Sequence, residues 1–243
     1  MSIERYVAQR ELRVHGNLRS HQLQHAVKQF TPHLVKTGYV KNFTYMGLPI
    51  LQYPSDMTVL QELIWRIRPS VIIETGVAYG GSLLFYANLL KQLRTGFVYG
   101  VDIDLHPETV QALRNSTLWD RINLIEGSSV DPDIFTTFEW ILQVKPTTLV
   151  ILDSNHTHDH VLAELEMYSD LVSVGSYIVV MDTAVEFYGH LDVDQCRPWR
   201  VGDNPWTAVQ KFLKRTKRFV IDKEVEQRAL ITSAPDGWLR RVE

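Results

Sequence analysis

Two hydrophobic periods alternate along residues 70–182. Short apolar runs, each ending on a polar or acidic residue, are separated by stretches with apolar residues at helical spacing. The first run, Val71-Ile72-Ile73, ends at Glu74 and meets a glycine-rich turn carrying Gly76, Gly80 and Gly81. Leu83, Leu84, Ala87, Leu90 and Leu93 then recur as on one helix face. The same strand-then-helix order repeats. Strands are predicted at 97–104, 122–126, 148–152 and 176–181, with helices at 107–115, 131–144 and 159–172. Such alternation demands a parallel sheet with right-handed crossovers and helices on both faces. The expected fold is α/β, a doubly wound and mostly parallel sheet.

The flanks are less regular. Residues 18–30 predict a helix with Leu23, Val27 and Phe30 on one face, and 43–50 form an aromatic, turn-rich lead-in. A helix to Arg68 starts at Ser55 or Asp56 as N-cap, carries Leu60, Leu63, Ile64 and Ile67, and is stopped by Pro69. Beyond the sheet, 183–204 reads as a loop and Pro205 opens another helix. Two strands, 219–222 and 229–232, are expected across a charged turn, followed by a turn at 235–237 and a basic tail. The division that follows is a helical or irregular arm, 1–55, and one domain, 56–243.

Composition narrows the function classes. With 243 residues and 45% hydrophobic residues, the chain can build a full core without disulfides. A net charge of −3 with interspersed signs gives no electrostatic case for nucleic acid. No apolar run approaches the roughly 20 residues of a membrane span. One cysteine, Cys196, and no apolar signal core lead to the expectation of a cytoplasmic protein.

The chemistry gathers at strand ends. Glu74, Asp102, Ser128, Asp153 and Asp182 each fall where a strand finishes, the edge where ligands of doubly wound sheets bind. Gly76 and Gly80 are four apart, which is not the dinucleotide fingerprint, so the turn suits a nucleoside-type ligand without a pyrophosphate. Asp102, 26 residues beyond Gly76, is placed to accept ribose hydroxyls, and Ser128 or Asp131 to meet a base. Residues 153–160 hold three histidines beside two carboxylates, but they follow a strand directly and read as a turn. A three-histidine cage is therefore disfavoured. Asp153 and Asp182 suit a hard cation such as Mg²⁺, and His156 suits a general base. His158 and His160 read as cap or surface residues. His15, His21, His25 and His33 lack partner ligands at metal spacing and read as surface or packing residues.

Three motifs together, Glu74-Thr-Gly-Val-Ala-Tyr-Gly-Gly-Ser82, Asp153-Ser-Asn-His156 and Val180-Met-Asp-Thr183, resemble the cephalosporin hydroxylase / rhamnosyl O-methyltransferase family. The resemblance runs from about Gly47 to the C-terminus. It implies a class I, Rossmann-like sheet of seven strands whose last strand is antiparallel. It implies S-adenosylmethionine bound among Glu74, Gly76, Tyr79, Gly80, Ser82, Asp102, Ser128 and Asp153, and Mg²⁺ near Asp153 and Asp182. It also implies that His156 is the base for methylation of a hydroxyl on a sugar or small natural-product scaffold. Tyr188, Trp199 and Trp206 are candidates for an aromatic acceptor platform, and a homo-oligomer is expected. One position departs from the family pattern. Met181 stands where related sites carry an acid, and Glu186 or Asp159 would have to substitute. Two alternatives follow: a hydroxylase component, and a non-catalytic S-adenosylmethionine-binding partner subunit.

Overall fold

The computed structural model describes residues 2–191 and 196–243. Five strands, β3 (Val71–Thr75), β4 (Phe97–Asp102), β5 (Ile122–Glu126), β6 (Thr148–Leu152) and β7 (Tyr177–Val180), lie parallel. Two more, β8 (Phe219–Ile221) and β9 (Trp238–Arg241), complete a seven-stranded sheet of order β5-β4-β3-β6-β7-β9-β8. β9 runs antiparallel to both of its neighbours. The mostly parallel sheet with an antiparallel final strand is the expected one. A separate hairpin, β1 (Phe43–Tyr45) and β2 (Leu48–Ile50), occupies the lead-in.

Strand periodicity decides which helices cover which face. Every residue of β3, β6 and β7 is buried, as a central parallel strand requires. Ile72, Leu149, Ile151 and Val179 point to one side, where they pack with α3 (Pro54–Ile67) and α4 (Gly81–Leu93). Val71, Ile73, Val150 and Ile178 point to the other, against α6 (Pro132–Ile141), α7 (His158–Tyr168) and α9 (Pro205–Arg215). The short α5 (Pro107–Arg114) joins β4 to β5 and packs Leu113 on the α3 and α4 side, and α8 (Val185–Tyr188) follows β7.

Four expectations need correction. The N-terminal arm holds two helices, α1 (Ile3–Arg19) and α2 (His21–Lys36), where one was expected. Ser2 and Ser20 each accept a backbone N–H as N-cap, so the polar break at Ser20 separates them. The helix expected to start at Ser55 or Asp56 starts at Pro54 instead, and Asp56 is fully buried, accepting from the Ser233 N–H at 2.8 Å. The charged turn after β8 is a helix, α10 (Lys223–Ala229), because Asp222 caps it and Glu224 and Glu226 fill its first turn. The residues expected as a strand at 229–232 turn away with Leu230 at φ 61°, and the basic tail supplies β9.

Ion pairs fasten the arm to the domain. Arg10 meets Glu62 of α3 at 3.0 Å, Arg228 of α10 meets Glu11 at 3.4 Å, and His15 meets Glu224 at 3.1 Å. Among the described residues no helix is long and apolar enough to cross a membrane.

Candidate active site

A cavity of about 300 Å³ opens at the carboxyl ends of β3, β6 and β7. Its inner wall is built from strand-end turns. Gly76 has φ 87°, and a Cβ there would lie 2.1 Å from the Asp153 carbonyl oxygen. The glycine therefore lets the turn after β3 lie directly against the end of β6. Gly81 does the same for the hairpin, because its Cβ would sit 2.3 Å from the Pro49 carbonyl oxygen.

The acids of the inner wall divide into two kinds. Asp102 braces the turn: one carboxylate oxygen accepts from the N–H groups of Val77 and Ala78 at 2.7 and 3.1 Å, and the other from Asp104 at 3.1 Å. Glu74 is fully buried. Ser82 Oγ donates to it at 2.7 Å, and burial raises its carboxyl to about 8. Asp153 is also pushed well above the usual carboxylate range, first by burial and then by the Asp182 and Glu74 charges.

Asp153, His156 and Asp182 converge, each offering a ligand atom within 4.8 Å of the others. Asp182 leaves β7 at φ 53°, a strained conformation for a residue with a Cβ, and its carboxylate lies 3.3 Å from His156 Nε2. His156 is 7% exposed, and burial lowers its pKa despite the raising effect of Asp182. Trp199 packs edge-on against the imidazole, with ring centroids 4.7 Å apart.

The site residues expected from the sequence separate into two groups. Gly76, Tyr79, Ser82, Asp153, His156, Asp182, Tyr188 and Trp199 all line the cavity. Glu74 lies beneath the wall, bonded to Ser82, while Gly80, Asp102 and Ser128 stand outside the lining. Trp206 is elsewhere: its indole N–H donates to Asp236 at 3.0 Å and its ring packs on Phe187.

Met181 is 1% exposed, packed in the core on the α3 and α4 side, and is not a member of the cluster. Glu186 is not its replacement, since its carboxylate accepts from Gly202 N–H and Asn204 Nδ2 at 2.9 and 2.6 Å. Asp159 is likewise absent from the cluster. His158 binds Thr207 Oγ1 at 2.7 Å and so ties α7 to α9, where a cap or surface role was expected. The remaining lining includes residues that the sequence does not single out: Leu34, Val35 and Lys41 of the arm, Tyr53, and Arg197. Sequence spacing carried no signal for them, because they enter the cavity from distant segments.

This architecture, a Rossmann-like sheet with a glycine turn and an acid-and-histidine cluster at its carboxyl edge, is that of class I methyltransferases. Residues 37–242 match the family model described as Rhamnosyl O-methyltransferase/CmcI, and the chain belongs to that family of S-adenosylmethionine-dependent O-methyltransferases. The Rhamnosyl O-methyltransferase of Mycobacterium bovis (strain BCG / Pasteur 1173P2) is 33% identical over 201 residues, covering 82% of this chain and 78% of the relative. Its counterpart in Mycobacterium leprae (strain TN) is 32% identical over 201 residues, with 82% of each covered. In fold, the chain resembles an apo-structure of CmcI with a TM-score of 0.60 at 23% identity, covering 84% of this chain and 77% of the other. A CmcI structure with Mg and SAM gives a TM-score of 0.60 at 22% identity, covering 84% and 78%.

Proposed function

We propose that the protein transfers the methyl group of S-adenosylmethionine to a hydroxyl of a sugar or small natural-product acceptor, with His156 as general base. The observation that carries this reading is the pairing of a buried imidazole with Asp182 inside the cavity walled by the glycine turn. Burial holds His156 neutral near pH 7, the state a base needs. The Asp182 carboxylate, 3.3 Å from Nε2, favours the cation the imidazole becomes on taking the hydroxyl proton. The rest of the rate comes from holding the acceptor oxygen in line with the sulfonium methyl. Tyr188 and Trp199 line the cavity and offer the aromatic surface for a sugar ring, as befits relatives named for a rhamnosyl acceptor. Trp206 has no part in that platform.

The donor set also fits a divalent cation. Asp153 and Asp182 bring two carboxylates together, and Asp153 is driven up first by burial and then by the Asp182 charge. Mg²⁺ takes oxygen ligands, so these two aspartates would hold it and leave His156 free as base. Bound there, the cation would lower the pKa of the acceptor hydroxyl. Among the described residues the cluster contains a single imidazole, short of the two histidines that an iron hydroxylase triad uses.

Calorimetric titration tests the reading. S-adenosylmethionine should bind with and without EDTA, and a separate Mg²⁺ signal should vanish in Asp153→Ala. No cofactor binding would remove the basis of the reading. Cofactor binding without a Mg²⁺ signal would leave His156 acting without a cation.

A further inference from the structure

Next to Asp153, and reaching the cavity lining at Ser154, lies a polar cluster that the mechanism does not use. Glu164, on the second turn of α7, is fully buried. A single oxygen of its carboxylate, Oε1, accepts two short hydrogen bonds: from Ser129 Oγ at 2.6 Å and from Ser154 Oγ at 2.7 Å. Ser154 directly follows Asp153 and opens the turn that ends at His156. Ser129 lies in the turn after β5, beside Ser128. One carboxylate thus ties together two turns that are remote in sequence, 35 and 10 residues away from it.

His160 completes the cluster. Its Nε2 lies 3.0 Å from Ser129 Oγ, 3.2 Å from Ser154 Oγ and 3.5 Å from Glu164 Oε1. Each serine has one hydrogen to donate, and both are spent on Glu164. The imidazole must therefore be the donor toward the hydroxyl oxygens, which fixes a tautomer with hydrogen on Nε2. All three contacts use the same ring nitrogen, so the arrangement is no nucleophile relay: a relay needs the acid and the hydroxyl on opposite nitrogens. Tyr168, one turn on from Glu164, adds a hydrogen bond from its hydroxyl to the Ser129 carbonyl at 2.9 Å. On the far side, Gly76 lies against the Asp153 carbonyl. The start of the Asp153-to-His156 turn is held by two contacts, a close backbone approach and a buried carboxylate.

Burying a carboxylate is costly, and hydrogen bonds to a charged acceptor are among the strong ones. Glu164 retains a buried oxygen, Oε2, without a partner. A residue held at such cost beside the reacting groups points to a task that packing alone would not require. We propose that Glu164 is a positioning residue for methyl transfer: it clamps the turn carrying Asp153 and His156 through Ser154 and locks it to the turn after β5 through Ser129. This role rests on the reading of His156 as base.

The test uses Ser154→Ala, Glu164→Leu and Glu164→Gln. Hydrogen exchange of residues 153–157 is followed in each, together with kcat and the acceptor KM. Glutamine keeps a carbonyl oxygen that can accept both serine hydrogens, while leucine keeps only the volume. Ser154→Ala and Glu164→Leu should speed exchange in 153–157 and lower kcat by about tenfold or more, with acceptor KM little changed, as misplacement of a reacting group does. Glu164→Gln should restore kcat to within about threefold of wild type. Glu164→Leu could fail to fold, and then Ser154→Ala, which removes one hydroxyl, carries the test. Wild-type exchange and kcat in Ser154→Ala would overturn the proposal. So would a Glu164→Gln variant as impaired as Glu164→Leu. The exchange readout needs no acceptor, so it stands if His156→Ala proves to be silent; a silent His156 would instead remove the base assignment.

Discussion

The two walls of the cavity are built on different principles. The inner wall, at the ends of β3, β6 and β7, consists of fully buried strands whose turns touch backbone to backbone. The outer wall comes from the arm and the segment after β7. It contributes Leu34, Lys41, Tyr53, Tyr188 and Arg197 to the lining. The arm itself is fastened by ion pairs between partly exposed side chains, such as Arg10 with Glu62 at 36% and 34% exposure. Interior packing resists change far more than exposed ion pairs do. The inner wall can therefore hold the reacting groups fixed, while the outer wall is free to vary with the acceptor.

The sharpest break of this contrast is on the inner wall. Gly76→Ala places a Cβ against the Asp153 carbonyl at an unfavourable φ, and it should destabilise the fold by about 2–5 kcal/mol in urea titration. Wild-type stability would mean that the β3 and β6 turns do not need their close approach.

A second test concerns Glu74. Its carboxyl is raised to about 8, so the folded state keeps its proton where the unfolded chain has lost it. Stability linked to Glu74 is full below the ordinary value of 4.5 and is lost as pH rises through about 8. Glu74→Gln carries no such proton. Its thermal midpoint should exceed that of wild type at pH 8.5, by on the order of 2–4 kcal/mol of stability, and the gap should close near pH 5.

The base also has a pH signature. His156 is lowered from 6.5, so the acid limb of kcat/KM should fall below pH 6.5. An acid limb above 6.5 would assign it to another group.

The smallest effect belongs to the outer wall. Arg228→Ala removes pairs to Glu11 and Glu62, and it should weaken arm docking by about 0.5–1 kcal/mol. Hydrogen exchange in α1 should quicken while exchange in β3 does not. Arg10 first, and Arg228 with it, hold Glu11 below its ordinary pKa, so stability linked to Glu11 is present above 4.5 and is lost as pH falls through the depressed value. An arm indifferent to Arg228→Ala would show that apolar contacts hold it.

The same contrast sets how much of the molecule could be read from the sequence. β3, β6 and β7 were legible because continuous β-branched runs of that length have few alternatives to a buried strand. Asp153 and Asp182 were legible because they follow strand ends, where a doubly wound sheet gathers its polar groups, and His156 because it lies in the turn that Asp153 opens. Lys41 and Arg197 were not, because no period or spacing connects residue 41 with residue 197. The α10 helix was misread because a run of charges says turn and helix equally until Asp222 is seen capping it. Glu164 was invisible for another reason: a glutamate at a helical position reads as solvent-exposed, and only the packed structure shows it buried against two serines.

The most direct test of the central claim is His156→Ala, with turnover and S-adenosylmethionine affinity measured on the same preparation. Loss of a general base should lower kcat by about 10²–10⁴-fold while the cofactor Kd stays within about twofold of wild type. Unchanged turnover with intact cofactor binding would contradict the account at its centre.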